Sequence, residues 1–401
     1  MRSVELFAGA GGLAIGLSNA GFRHAAVIER DGDACETFRE NQRHQTHSVE
    51  GWPLHECDVR DFDYGAIEGK VMVVSGGPPC QPFSLGGKHR GHRDERDMFP
   101  EAVRAVRALQ PQAFIFENVK GMMRQAFTSY FEYIHLQLSY PRYVRQVGER
   151  WQEHRSRLEK HHTSQRQRSE YNVVCRLLNA ADYGVPQKRE RVFIVGFRSD
   201  LGVRWSFPET THSEDALLRA QWVTSEYWER HKLLKSTRPT PSPRLAKRIE
   251  RLRGEELFAP SRKPWLTVRD AIADLPDPQR HPNNNIPNHC FNPGARSYKG
   301  HTGSPYDEPA KTLKAGDHGV PGGENMLLRL DRSVRYFSVR EAARLQTFPD
   351  DYEFRGSWTE SMRQLGNAVP VRLAEAVAGS VAAALSRKKQ CANRRQGPKR
   401  T

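Results

Sequence analysis

Paired cysteines are missing from this chain. Its six cysteines stand at Cys35, Cys57, Cys80, Cys175, Cys290 and Cys391 with no CxxC pair among them. That spacing disfavours a zinc site or a disulfide framework and suits reduced thiols in a cytoplasm, with no metal expected. No stretch approaches the ~18 consecutive apolar residues of a membrane span. The start, Met1-Arg2-Ser3-Val4-Glu5, has neither the basic nor the apolar region of a secretory leader. No internal repeat is visible, which sets aside solenoid architectures. Acid is also in short supply: 47 Asp+Glu face 62 Lys+Arg, a formal net charge of +15. Such an excess suits a polyanionic partner, nucleic acid before an anionic membrane.

The 401 residues suffice for a large α/β domain and a smaller one. Through residue 120, short apolar runs alternate with amphipathic segments, the βαβ rhythm of a mostly parallel sheet. Strands are expected at Ser3–Phe7, Ala25–Glu29, Val71–Ser75 and Ala113–Glu117, and helices at Gly12–Ala20, Gly32–Asn41 and Glu101–Leu109. Strands resume at Tyr171–Leu177 and Arg191–Phe197, after a charged, helical-looking insertion at about 140–170 for which the sequence suggests no role. The expected division is a first catalytic part at 1–202, a loop-rich domain at 203–335, a returning part at 336–386 and a disordered basic tail at 387–401.

Two strand ends carry the chemistry. Cys80 lies in Gly76-Gly77-Pro78-Pro79-Cys80-Gln81-Pro82, directly after the run Val71–Val74. The run Ala113–Phe116 ends in Glu117-Asn118-Val119. In parallel α/β sheets, ligands bind in the crevice at the carboxyl ends of the strands, so a thiol and an acid would share it. At the first strand end, Leu6-Phe7-Ala8-Gly9-Ala10-Gly11-Gly12-Leu13 opens a helix as a glycine-rich turn does when a ligand approaches its backbone. Glu29 and Asp58 close the next two strands, as acids do that bond a ribose and an adenine amino group. Together they imply an adenosine-containing cofactor. A thiolate adding at C6 of cytosine turns C5 into a carbon nucleophile, while a carboxyl at N3 stabilises the charge driven into the ring. Cys80 and Glu117 fit those roles, and Gln187-Lys188-Arg189-Glu190-Arg191 supplies nearby positive charge that favours the thiolate.

With these residues, the chain resembles the DNA (cytosine-5)-methyltransferases of bacterial restriction-modification systems. The resemblance covers roughly 1–125, 171–200 and 336–385. It rests on Phe7-Ala8-Gly9 with Gly11-Gly12, Pro78-Pro79-Cys80-Gln81, Glu117-Asn118-Val119, Gln187-x-Arg189-x-Arg191, Arg340–Pro349 and Gln364-Leu365-Gly366-Asn367-Ala368-Val369-Pro370. It implies a Rossmann-like S-adenosylmethionine-dependent methyltransferase domain with a smaller loop-rich target-recognition domain. Cys80 would be the nucleophile, Glu117 the N3 partner and Arg191 a donor to the cytosine O2, with Arg189 supporting the same site or a nearby phosphate. The cofactor would lie against Phe7, Ala8, Gly9, Gly11, Gly12, Leu13, Glu29, Asp58, Val59, Gly77, Pro79 and Met98, with Asn367 and Val369 returning to complete the pocket. The target base must be swung out of the duplex; the segment Cys80–Asp97, with Lys88, would close over it.

The resemblance also implies a bacterial cytoplasmic setting and double-stranded DNA as partner. A cognate restriction endonuclease acting on the same site without a stable complex, and a monomeric state, are further expectations. Candidate DNA contacts are Lys88, Gln187, Arg269 and Lys314, with Ala315–Gly319 as a groove-entering loop. Glu5 and Arg30 depart from the family pattern, which more often has Asp and a bulky apolar residue there. Two alternatives stand beside this reading: a tRNA cytosine-5 methyltransferase, and a non-catalytic DNA-binding regulator on the same scaffold. Amino-group methylation is disfavoured, because Gly77-Pro78-Pro79 is followed by Cys80 and not by an aromatic residue.

Overall fold

Apolar runs flanked by glycine and polar turns pair here as strands buried on both faces, as parallel sheets require. The structure is a computed structural model and describes residues 1–46, 48–79, 97–164, 169–254, 262–299, 302–315 and 325–395, with side chains of the last helix to Lys388. It divides into two compact units: 1–178 with 190–208 and 348–401, and 179–189 with 209–347.

The first unit is built on β1 (Arg2–Leu6), β2 (Arg23–Glu29), β3 (Leu54–Glu56), β4 (Val73–Gly76), β5 (Ala113–Val119), β6 (Tyr171–Asn179) and β7 (Glu190–Arg198). They form one sheet in the order β3-β2-β1-β4-β5-β7-β6. The pairs β1–β2, β1–β4, β2–β3 and β4–β5 are parallel, and β7 runs antiparallel to β5. Order reverses between β1 and β4, so their carboxyl ends diverge and leave the crevice where ligands bind in open α/β sheets. Because β7 is antiparallel, its beginning lies at that same end: Arg191 is opposite Val119. The core beneath includes Val4, Leu6, Ile28, Val74, Phe114 and Phe116.

The expected strands and helices of the first 120 residues are present with ends shifted by a residue or two. The connecting helices are α1 (Gly12–Asn19), α2 (Gly32–Arg43) and α3 (Phe99–Leu109). The charged insertion follows α4 (Thr128–Ser139) and forms α5 (Trp151–Thr163). The helices Trp358–Asn367 and Val371–Arg395 return to this unit, and the second packs along α1. A Cβ at Gly12 would meet the Val369 carbonyl at 2.1 Å, and one at Gly16 the Ala374 Cβ at 2.4 Å. Two glycines one helical turn apart thus permit the close approach.

The structure differs from the sequence expectations at four points. The returning part of this unit begins at Phe348, not 336, and the segment 179–189 belongs with the second unit. The tail expected to be disordered from 387 continues as helix to Arg395. The stretch Trp358–Lys388 is, against the sequence reading, long and apolar enough for a membrane span, but 67% of its apolar window is buried in the fold, as a core helix is.

In the second unit, a core of Ala181, Leu217, Ala220, Tyr227, Trp228 and Trp265 forms around short helices. A small sheet joins Ser304–Pro305, Met326–Leu328 and Val334–Tyr336. Residues 179–189 join it through backbone pairing of Gln187 with Ala310 and the bond from Thr211 N to Asp182 O.

Candidate active site

The carboxyl ends of β1, β2, β4 and β5 enclose a cavity of about 390 Å³. Of the residues expected to hold a cofactor, Phe7, Ala8, Gly9, Gly12, Leu13, Glu29, Asp58, Val59, Gly77, Pro79, Met98, Asn367 and Val369 line it. Gly11 does not. It caps α1 at φ +84°, and a Cβ there would strike the Phe38 ring at 2.8 Å; its role is to shape the turn. Phe7 has φ +55°, a strained backbone for a bulky residue of the kind that collects at ligand sites.

The β2 end is organised by Glu29. One carboxylate oxygen accepts from Gly9 N at 2.7 Å, the other from Arg30 N at 2.9 Å and Asp31 N at 2.8 Å. This clasp fixes the glycine turn to the acid while leaving lone pairs toward the cavity. Asp58 is more heavily engaged. It accepts from Arg60 N, Nε and Nη2 and from Arg30 Nη1 at 3.3 Å. The hydrogen bonds from Arg60 and Arg30, led by the Arg60 side chain, hold its carboxyl far below the usual range. An adenine amino group would compete with these donors. Glu5, on the cavity floor, is buried and receives a hydrogen bond from Ser75 Oγ. Burial pushes its carboxyl up to about 8, against the lowering effect of Ser75.

At the β5 end, Glu117 and Arg191 both line the same cavity and form an ion pair, Arg191 Nε to Glu117 Oε1, at 2.8 Å. They project from one face because Glu117 lies two residues before Val119, which faces Arg191 across the antiparallel pair. Burial holds the Arg191 guanidinium below its ordinary value, against the pull of Glu117. The buried Asn118 donates from Nδ2 to Pro78 O at 2.9 Å. It thereby ties the β5 end to the loop that leads into Cys80. Cys80 and Lys88 lie outside the described residues; Pro79, the neighbour of Cys80, lines the cavity with Glu117.

A match to the family described as C-5 cytosine-specific DNA methylase covers residues 1–146 and 151–383. The chain belongs to that family. It is an S-adenosylmethionine-dependent methyltransferase that methylates cytosine C5 in DNA. The chain is 30% identical over 394 residues to the Type II methyltransferase M.NgoMIV of Neisseria gonorrhoeae, covering 96% of this chain and 98% of that one. It is 31% identical to the Type II methyltransferase M.PspPI of a Psychrobacter species, covering 94% and 78%. Among solved structures, it is similar to a protein described as a DNA modification methyltransferase encoded within an E. coli prophage, with TM-score 0.59, 19% identity and coverage of 96% and 99%. The S. pombe Dnmt2 methyltransferase matches with TM-score 0.53, 17% identity and coverage of 96% and 99%. Those two likenesses speak to the fold alone.

The structure places three further expected residues outside that cavity. Arg189 is fully buried in the second unit, where its Nη1 donates to Leu313 O at 2.9 Å, and it does not line the cavity. Gln187 is likewise buried, donating to Leu345 O and accepting from Leu313 N. Arg269 makes a two-point ion pair with Asp307 at 2.7 and 3.1 Å. Gln187 and Arg189 are thus buried and bonded within the second unit, and Arg269 is ion-paired there. Lys314, by contrast, is exposed, with its backbone pinned to the Asn325 side chain. Sequence reasoning missed Asp31 and Arg363, which line the cavity and pair at 2.7 Å. Their separation along the chain left no local signal.

Proposed function

We propose that this chain methylates one specific double-stranded DNA sequence through a covalent Cys80–cytosine adduct. The reading is carried by one observation: Pro79, Glu117 and Arg191 line the same cavity as Phe7, Gly9, Glu29 and Met98, so the nucleophile's neighbour, the carboxyl and the cofactor cradle share one space. The residues fit S-adenosylmethionine: a strained Phe7, amide-held Glu29 and a cavity of adequate size. When bound, it supplies the electrophilic methyl group.

The Cys80 thiolate adds to C6 of an extruded cytosine, forming the S–C6 bond and moving the C5=C6 electron pair to C5. Glu117, hydrogen-bonding or protonating N3, takes up the charge this displaces, while Arg191 donates to O2. Its pairing with Glu117 holds the two groups side by side, as the adjacent N3 and O2 positions require. After methylation, a base removes the C5 proton, the electron pair reforms C5=C6 and the thiolate leaves. The cytosine must leave the stack for this, and the second unit is the reader of the surrounding sequence. The chain would act as a monomer in a bacterial cytoplasm, as the modification member of a restriction-modification pair.

Bisulfite sequencing of plasmid from an expressing host tests this directly. A single methylated sequence context is expected. Methyl incorporation into tRNA but not DNA, in a side-by-side assay with labelled cofactor, would overturn it.

A further inference from the structure

The charged insertion has a physical connection to the cofactor cavity. Trp151 opens α5, and its ring meets Tyr130 edge-on at 5.3 Å and Tyr133 at 5.6 Å, both on α4. Tyr130 is buried, and its hydroxyl donates to Asp97 Oδ2. The other oxygen of Asp97 accepts from Phe99 N at 3.2 Å and so sets the first turn of α3. Met98, between them, donates its backbone N–H to Pro79 O at 3.4 Å. Met98 and Pro79 are both walls of the cavity.

The outer end of this chain is also fixed. His154 is buried, and its Nε2 lies 2.9 Å from Tyr143 O. A carbonyl only accepts, so Nε2 carries the hydrogen, and Nδ1 accepts from Tyr133 OH at 2.8 Å. Tyr143 stacks on His161 at 4.7 Å, with the Arg157 guanidinium over its ring at 4.8 Å. The insertion is thus a folded block whose aromatic face ends on Tyr130.

We propose that Trp151 is a positioning residue for methyl transfer, acting through Tyr130 and Asp97 to hold the Met98–Pro79 wall against the cofactor. This rests on the function proposed above. The alternative for an inserted helix is a surface decoration that stabilises only itself. Two features favour the coupling. The hydroxyl of Tyr130 is directed at a carboxylate and not at solvent, and that carboxylate lies next to a cavity wall. The route uses a hydrogen bond that a single-atom change can remove, so it separates cleanly from packing.

The experiment measures Kd for S-adenosylhomocysteine by calorimetry and KM and kcat for methyl transfer, in wild type, Tyr130→Phe, Trp151→Ala, Trp151→Phe and the Tyr130→Phe/Trp151→Ala double variant. Tyr130→Phe keeps the ring and should raise the Kd and the cofactor KM about fivefold, with kcat changed less than twofold and DNA affinity unchanged. Trp151→Ala should give a similar rise, Trp151→Phe should restore most of it, and the double variant should lose no more than the larger single. Tyr130→Phe binding the cofactor like wild type, or fully multiplicative losses in the double variant, would overturn the proposal. If Trp151→Ala fails to fold, Tyr130→Phe and Trp151→Phe decide the question. Wild-type protein that binds the cofactor but methylates no DNA cytosine sinks the function instead, and the binding comparison still reads the coupling.

Discussion

Glu117 and Arg191 meet at 2.8 Å although one lies near the end of β5 and the other near the start of β7. The contact exists because β7 is antiparallel to β5, which brings the start of one strand beside the end of the other. A parallel β7 would have carried Arg191 to the opposite edge of the sheet. The antiparallel β5–β7 pairing thereby places the guanidinium and the carboxyl on a common cavity wall.

Removing one member of that pair has two separable consequences. Glu117→Gln should lower kcat by a factor of about 10² to 10⁴, the range ascribed to a positioned proton donor, and should destabilise the protein less than Glu117→Ala, because its amide oxygen still accepts from Arg191 although the counter-charge is lost. Glu117→Ala should also destabilise the protein by about 3 kcal/mol, because it leaves the buried Arg191 without its counter-charge. Denaturant titration and single-turnover methyl transfer measure the two effects independently.

Cys80→Ser should abolish methyl incorporation while leaving DNA and cofactor binding within about twofold of wild type, since a hydroxyl is far less ionised than a thiol. DNA carrying 5-fluorocytosine should trap the wild-type chain covalently, because fluorine cannot leave as a proton does. Mass spectrometry should place that adduct on the peptide containing Cys80. A trapped adduct on any other cysteine would remove the nucleophile assignment.

Glu5 makes the stability of the free protein depend on pH. Its carboxyl is pushed from 4.5 to about 8 by burial, so the folded state holds a proton that the unfolded chain releases. The stabilisation is complete below pH 4.5 and is lost as pH rises through about 8. Glu5→Gln should flatten the apo melting profile over that window. Because Glu5 lines the cavity, a cationic group of the cofactor bound beside it would favour the carboxylate and expel its proton. Calorimetry at pH 7 in buffers of differing ionisation enthalpy should show up to one proton released, and none in Glu5→Gln.

Gly12→Ala places a methyl group 2.1 Å from the Val369 carbonyl, which is backbone and cannot rotate away. A loss of about 1–3 kcal/mol is expected from overpacking, together with weaker cofactor binding, since Gly12 and Val369 both line the cavity. A melting temperature equal to wild type would mean that the contact between α1 and the last helix is looser than described.

The second unit offers a contrast between two basic residues. Lys314→Ala should reduce the slope of log K against log salt for DNA binding by about 0.9, the effect of one lost phosphate contact. Arg269→Ala should leave that slope unchanged and destabilise the protein by about 3 kcal/mol, because Asp307 loses a two-point partner. Equal salt slopes for wild type and Lys314→Ala would take Lys314 out of the interface.

The local signals were strong in the sequence. Apolar runs with glycine-rich turns marked β1, β2, β4 and β5, and Phe7, Glu29, Asp58 and Pro79 fell on one cavity because strand ends in a parallel sheet share an edge. Not legible were the partners of side chains that bond far along the chain: Arg189 donates to Leu313 O, Gln187 to Leu345 O, and Arg269 pairs with Asp307. Charge and motif reveal that a residue can bond; they do not reveal to whom.

Residue type and order by themselves determined the sheet, the cofactor turn and the family, since each depends on local backbone preference and on which groups a reaction needs. Tertiary packing alone decided that Gly11 shapes a turn while Gly12 admits Val369, that Asp31 and Arg363 meet, and that the insertion packs through Trp151 on Tyr130, which bonds Asp97. The physical reason is distance: those contacts join groups that become neighbours only after the chain has closed on itself, and nothing in the local sequence encodes the identity of the partner.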